Sequence, residues 1–456
     1  MVGSNWTWAK GLRGVAVAGA LAASTLMGSQ VKAAEEKVET ATPTFTLNPF
    51  DLPENFGWLS DPKAPAEGVG DALFGGKFSL NNRLRWEHVA QTGKEETNAL
   101  TNRTRFGYGT KPLSGVSAYV ELENNTPFDR SSYNAAGAQG NAAKAIVADP
   151  EEVELNQAYI KYVYKGDFKL DLIVGRQRMI IDDARFIGNV GWRQMEQTYD
   201  AVNVTTDLGV KNLELQYAYI WKVNRIFTEE STAANEPFES QSHIIHGSYK
   251  FCDAFKLTAF AYLLDLSTDL SSDASSATYG VTGSGKVKLD DTWSFDYKLT
   301  YATQSDYADS TKDYTADFFA ADGKFTVKDL GFGGVGYQML GSDDGNIAFA
   351  FPLGTNHAYQ GWADLFLGTP PQGLQDIYLY VGTTLPWDIK GAFYYHTFNS
   401  DEGDFNFGDE YDAVLSKKIN KNWSVLTKLA VFKQGDTGMG SKPDTTKFWL
   451  ETTFTF

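Results

Sequence analysis

The chain has 456 residues, 42% hydrophobic and 14% aromatic, with 57 acidic against 40 basic side chains and a formal charge of −17. That balance argues against a nucleic-acid binder, which needs a basic face, and a single cysteine, Cys252, excludes an internal disulfide framework. Beyond residue 34 no run of about 18 apolar residues occurs, so no later helix is long and apolar enough to span a bilayer.

The N-terminus reads MVGSNWTWAKGLRGVAVAGALAASTLMGSQVKAAEEKVET. Lys10 and Arg13 precede a small apolar stretch, Gly14 to Gly28, and Val31-Lys32-Ala33 resembles a small-residue cleavage site, so residues 1–34 are expected to be a secretory signal peptide. The stretch is shorter than the roughly 20 residues a spanning helix needs. Losing Lys10, Arg13 and Lys32 takes the mature charge from −17 to about −20. Residues 35–76, with NPFDLPENFGWLSDPKAPAEG, are Pro-rich and do not alternate. They are expected to form a periplasmic extension, or a plug tucked inside the remainder of the chain.

Residues 77–456 alternate. In TWSFDYKLTYATQ, Trp293, Phe295, Tyr297, Leu299 and Tyr301 share one face and Ser294, Asp296, Lys298 and Thr300 the other. KNLELQYAYIWKV, GVSAYVELEN, FKLTAFAYLL, QDIYLYVGTTL, IKGAFYYHTF and NWSVLTKLAVF behave alike. A soluble sandwich with one wet face would alternate too; the connections separate the cases. Eight tight turns, at Thr110, Lys165, Asp207, Cys252, Asp290, Lys328, Pro386 and Asn420, interleave with nine longer polar segments near 90–97, 125–151, 179–197, 224–240, 266–278, 304–312, 341–374, 400–408 and 434–444. Short turns on one side and long loops on the other predict an all-β, transmembrane, antiparallel up-and-down barrel of about 18 strands in the outer membrane, with periplasmic turns and extracellular loops. The last strand, TKFWLETTFTF, sets Phe448, Leu450, Phe454 and Phe456 toward lipid and Lys447, Trp449 and Glu451 toward the lumen, and pairing it with KFSLNNRLRWEH leaves no edge. The terminal aromatic, Phe456, resembles the C-terminal signal that the barrel assembly machinery recognises.

Of eleven arginines, nine lie between residues 83 and 193. Arg83 and Arg85 alternate with Leu84 and Trp86, and Arg103 and Arg105 with Phe106 and Tyr108. A guanidinium facing lipid at the midplane costs about 2–4 kcal/mol, so these four are expected in the lumen. Glu121 and Glu123, in YVELEN, offer carboxylates in return. Two readings compete and can both hold: the two charge ladders hold the wall together, and the arginines outnumber the acids at the constriction and form a cationic track for anionic solute. The segment VGRQRMIIDDARFIGNVGWRQMEQTYDAVNV adds Arg176, Arg178, Arg185 and Arg193 beside Asp182, Asp183 and Glu196. Val174 and Arg176 cannot share a lipid face without a bulge, which suggests a loop folding inward.

TNRTRFGY, GRQRMIIDDARFIGNVGWRQMEQTYDAV, TNHAYQGWADLFLGTPPQGLQDIYLYVG, GDEYDAVLSKK and TKFWLETTFTF resemble the blocks of the alginate export porin family, over most of residues 78–456. The resemblance implies an eighteen-stranded barrel that passes an anionic polyuronate through an arginine-rich lumen gated by loops. The matching positions are Arg83, Arg103, Arg105, Arg176, Arg178 and Arg193, with Trp192 and Gln194. The expected partners are therefore an anionic saccharide or another small hydrophilic solute, and outer-membrane lipid, with no nucleic acid, cofactor or metal. Export and uptake stay open, as do subunit number and a general or substrate-selective uptake porin.

Other motifs carry less. GVTGSGKV, Gly280 to Val287, lacks the hydroxyl residue of a phosphate-binding loop and is followed by a strand. His243 and His246 fall on opposite strand faces, and SDDGN at Ser342 reads as a solvated loop. No catalytic constellation stands out, so a channel is expected over an outer-membrane lipase or an adhesion barrel.

Overall fold

The computed structural model describes residues 65–136, 139–227, 236–268, 273–438 and 440–456. The expected leader, residues 1–34, and residues 35–64 of the expected extension lie outside them. A six-residue helix, α1 (Val69–Phe74), sits beside the first short turn: Asp71 pairs with Lys111 Nζ at 2.9 Å, and the Tyr108 hydroxyl donates to the Leu73 carbonyl at 2.6 Å.

The helix leads into eighteen strands. They are β1 (Lys77–Gln91), β2 (Thr97–Gly109), β3 (Val116–Pro127), β4 (Glu152–Lys165), β5 (Lys169–Gln177) and β6 (Thr198–Thr206). Next come β7 (Leu213–Asn224), β8 (Phe238–Cys252), β9 (Phe255–Leu264), β10 (Ser276–Lys288), β11 (Trp293–Asp306) and β12 (Thr315–Val327). The last are β13 (Gly331–Leu340), β14 (Leu374–Leu385), β15 (Ile389–Asn399), β16 (Asn406–Lys418), β17 (Trp423–Gln434) and β18 (Thr445–Thr455). Leu266–Ser267 prolongs the pairing of β8 beyond β9. Each strand runs antiparallel to its neighbours, and β18 returns to β1 with Asn81 opposite Thr455 and Gln91 opposite Thr445. The sheet therefore closes as an antiparallel barrel of eighteen strands, and every backbone ladder finds a partner inside the hydrocarbon.

Local chemistry explains the turns. The Asn420 side chain accepts from the amides of Asn422 and Trp423 at 2.9 and 3.0 Å, and Asp290 accepts from Thr292 and Trp293 at 2.7 Å each. Such side-chain caps tighten a chain reversal without help from the rest of the fold.

Alternation sorts the two faces. Leu299, Tyr301, Leu450 and Phe454 stand out toward lipid, while Lys447, Trp449 and Glu451 are buried inside. One bulge matters for the interior. Between Glu121 and Leu122 the register with β4 shifts by one residue, so Asn156 and Gln157 are both buried. Both then donate to Glu121 Oε1, at 2.8 and 2.9 Å.

The core lies inside the barrel. Residues 178–197 and 341–373 fold into the lumen, where Ile187, Phe349, Phe351, Trp362 and Phe366 pack against wall residues including Ile220, Phe318, Tyr394 and Phe432.

Candidate functional site

The two infolded loops meet each other first. The Gly188 amide donates to the Leu353 carbonyl and the Thr355 amide to the Ala184 carbonyl, both at 2.9 Å, and Gln197 Nε2 reaches the Gly188 and Leu353 carbonyls. Together they form one body across the lumen. The chain reverses sharply to do so: Asp182, Ala184, Val190, Gln360 and Asp364 all adopt positive φ. At Gly361, φ +78, a Cβ would collide with the Glu410 carboxylate, so glycine is needed for that close approach.

The arginines of β1 and β2 hold this body to the wall. Arg83 donates from Nε to Gln194 Oε1 at 2.9 Å, from Nη1 to the Gly191 carbonyl at 3.0 Å, and from Nη2 to the Arg193 carbonyl. Arg85 grips Glu451 of β18 at 2.7 Å, and its guanidinium covers the Trp192 ring at 4.1 Å. Arg103 donates to Asn81 Oδ1. Arg105 pairs with Glu123 and stands 3.6 Å from Glu196. Arg178 pairs with Glu196 and lies 3.8 Å from Glu121. Arg193 joins Glu87 at 3.1 Å, Asp364 at 2.8 Å and Asp149 at 3.9 Å. Of the two sequence readings, paired charge ladders describe this arrangement: carboxylates stand beside the lumen arginines in nearly every case.

Arg176 is a correction. It was expected in the lumen, but β5 carries no bulge, and register sets Val174 opposite Ile160 and Arg176 opposite Ala158. Arg176 therefore shares the outward face of exposed Val174. It sits at the long-loop end of β5, where its cross-strand neighbour Asp200 takes its Nε at 2.8 Å and offsets its charge.

Arg185 has a different environment. Its Nη2 donates to Gln360 Oε1 at 2.8 Å, and its guanidinium lies over Phe351 at 3.8 Å and Tyr359 at 4.3 Å. Its Nε and Nη1 have no hydrogen-bond partner among the described residues. Burial pulls its pKa down to about 10.

A second cluster was not expected from the sequence. The His357 ring stacks on Trp192 at 4.4 Å, its Nδ1 meets Asp364 Oδ1 at 2.6 Å, and its Nε2 meets Lys428 Nζ of β17 at 2.8 Å. Lys428 Nζ also lies 4.0 Å from the Trp192 ring centre and 3.8 Å from that of Trp362. Burial, with Lys428 and Arg193 nearby, holds His357 well below its usual pKa. A neutral ring suits both contacts: Nδ1–H donates to Asp364 and Nε2 accepts from the lysine. Burial alone would raise Asp364, but His357, Lys447 and Arg193 around it hold its carboxyl well below the usual range.

On the long-loop side of the plug lies a cavity of about 490 Å³. Lys94, Arg193, Arg225 and Lys447 line it with His357, against Asp364 as the one lining carboxylate. Ile226, Phe227, Phe351, Leu365 and Leu367 supply apolar walls. The site is thus a mixed apolar and cationic vestibule above the two infolded loops.

The sequence matches the alginate export family over residues 78–332, more than half of its length. The chain belongs to the alginate export family. No curated protein matches it. Solved outer-membrane porins share the fold of this alginate export family member. Acinetobacter baumannii OccAB3 aligns at 14% identity with a TM-score of 0.64, covering 84% of this chain and 99% of that one. A. baumannii OccAB1 aligns at 12% identity and 0.64, covering 86% and 98%. Pseudomonas aeruginosa OpdQ aligns at 15% and 0.61, covering 84% and 98%. Family, fold and closed barrel together make this member of the alginate export family an outer-membrane protein of the channel class.

Proposed function

We propose that this protein passes anionic saccharides, of the polyuronate kind, through a loop-gated lumen. The observation that carries the reading is the vestibule: in a chain of net charge −17, Lys94, Arg193, Arg225 and Lys447 line the cavity with Asp364, while Glu87 and Asp149 behind the lining offset part of the charge of Arg193 and Lys447. Such a patch between low-dielectric walls raises the local concentration of anions. The flat apolar walls suit sugar-ring faces as well as carboxylates suit the cations. A second reading, a substrate-selective porin for small hydrophilic solutes, is favoured by one feature: the lumen arginines below the vestibule are matched by acids rather than left as a continuous positive track. Phe456, exposed beside the outward face of β18, fits recognition by the barrel assembly machinery.

Current through the purified protein in a planar bilayer under a salt gradient separates these readings. Anion-selective current that an oligouronate blocks supports the first; an anion-selective pore indifferent to the oligouronate supports the second. Cation-selective or absent current in folded protein removes the first.

A further inference from the structure

The inner wall of β14 and β15 carries a row of aromatic rings that neither the charge network nor the vestibule uses. Tyr378 and Tyr380 lie 6.1 Å apart at 24°, Tyr380 and Tyr394 5.5 Å at 23°, Tyr378 and His396 5.3 Å at 27°, and His396 and Phe398 5.5 Å at 10°. Small angles at such separations describe tiles rather than a face-to-face pile.

The neighbouring strand confirms how the first tiles lie. A Cβ on Gly336 would overlap the Tyr378 ring, and one on Gly334 the Tyr380 ring, so both tyrosines lie flat over side-chain-free backbone of β13. Their hydroxyls both donate to Asp322, at 2.9 and 2.7 Å. One face of each ring rests on the wall, and both rings are buried inside the barrel.

The row is already covered at two points, Phe398 at its long-loop end and Tyr394 at its short-turn end. Trp362 sits 5.2 Å from Tyr394 and Phe366 4.5 Å from Phe398, both contributed by the infolded segment 341–373. Between those two rings in sequence, Ala363, Asp364 and Leu365 line the vestibule. One short segment therefore faces the entering solute on one side and covers the tiles on the other.

We propose that the row from Phe398 through His396 and Tyr378 to Tyr380 and Tyr394 is a saccharide-stacking track, covered at Tyr394 by Trp362 and at Phe398 by Phe366 until a sugar displaces them. A sugar ring presents C–H groups of partial positive charge, which rest on the negative face of an aromatic ring. Arg185 adds the anionic part of the recognition. It reaches the row through Gln360, whose Nε2 donates to Gln338 of β13 at 2.7 Å, and its Nε and Nη1 are left for a carboxylate. The ligand class is a chain of sugar rings bearing carboxylates, which rests on the anionic-saccharide reading above.

The test uses the full-length barrel in detergent, titrated calorimetrically with a neutral glucose hexasaccharide and with a mannuronate hexamer. The Trp362→Ala/Phe366→Ala variant is expected to bind both about 10-fold more tightly than the parent, because the track no longer has to be emptied. Adding Tyr380→Ala and Tyr394→Ala should abolish that gain. Arg185→Gln should lower affinity for the mannuronate and leave the neutral sugar unchanged. A folded loop variant that binds neither sugar more tightly overturns the track, and the single Trp362→Ala variant, which uncovers Tyr394, carries the same comparison if the double variant does not fold. An equal effect of Arg185→Gln on both sugars overturns its role alone. The anionic reading fails separately, by cation-selective current with the neutral-sugar gain intact.

Discussion

The two infolded loops sit in one lumen and are held by different balances of charge and ring contact, with Asp364 of the second also pairing with Lys447 of the wall at 2.8 Å and Phe186 of the first also packing on Phe260. Segment 178–197 is fastened by charge and directional hydrogen bonds: Arg83 on its backbone, Arg105 beside Glu196, and Arg193 between Glu87 and Asp364. Segment 341–373 is fastened largely by ring contacts, with Trp362 on Tyr394 and Phe366 on Phe398, and by Glu410 and Asp412 accepting from the Ala363 and Trp362 amides at 2.6 and 3.1 Å. Buried ion pairs have sharp geometric minima and are costly to break singly. Ring contacts tolerate sliding at smaller cost. The difference marks the first loop as the fixed part of the plug and the second as the part that yields.

The largest effect tests the fixed part. Arg193→Gln leaves Glu87, Asp149 and Asp364 with less positive charge to offset them, and loss of one partner from a buried ionic cluster costs about 3–5 kcal/mol. The thermal midpoint should fall clearly and the resting current in a bilayer should rise.

Acid tests the joint between the loops. His357 is held below its ordinary pKa of about 6.5, so a released loop binds more protons than the closed one, and closure weakens as pH falls below about 6.5. Asp364, also depressed, stabilises closure above the ordinary carboxylate range and loses that contribution as pH falls through its folded value. Single-channel open probability should therefore rise from pH 7 to pH 5, and His357→Gln should flatten that rise while sparing the step at lower pH.

Two milder changes sharpen the contrast. Lys94→Glu, at the vestibule rim, should lower anion preference by a factor of about 2 at low salt, and less at high salt, because exposed charge is screened over a Debye length of about 10 Å at 0.1 M. Arg176→Gln, on the outer face, should leave ion selectivity unchanged under the same salt gradient. A selectivity shift there equal to that of Lys94→Glu would return Arg176 to the lumen.

Much of the barrel was legible in the sequence because its determinants are local. Alternation, Asn and Asp turn caps, and the long–short rhythm of connections act over a few residues, and they gave strand number and face for Arg83, Arg85, Arg103 and Arg105. The plug was less legible. Its contacts join residues far apart, as in Arg193 with Asp364 or His357 with Lys428, and no spacing rule links such pairs. Arg176 was misread because a charge beside Val174 suggested a bulge, whereas Asp200 on the next strand offsets it directly. The aromatic wall was hidden for another reason. In QDIYLYVGTTL apolar and aromatic residues alternate, so polarity alone does not say whether Ile377 and Leu379 or Tyr378 and Tyr380 face lipid.

The seam where β18 meets β1 has a consequence for biogenesis. Arg85 depends on Glu451, which belongs to the final strand and is 366 residues away in sequence. Without that strand the guanidinium keeps only Asp149, at 4.0 Å, as a nearby carboxylate, and the first strand lacks half its ladder. A barrel without β18 therefore leaves an open edge on β1 and takes from Arg85 the carboxylate it is bonded to.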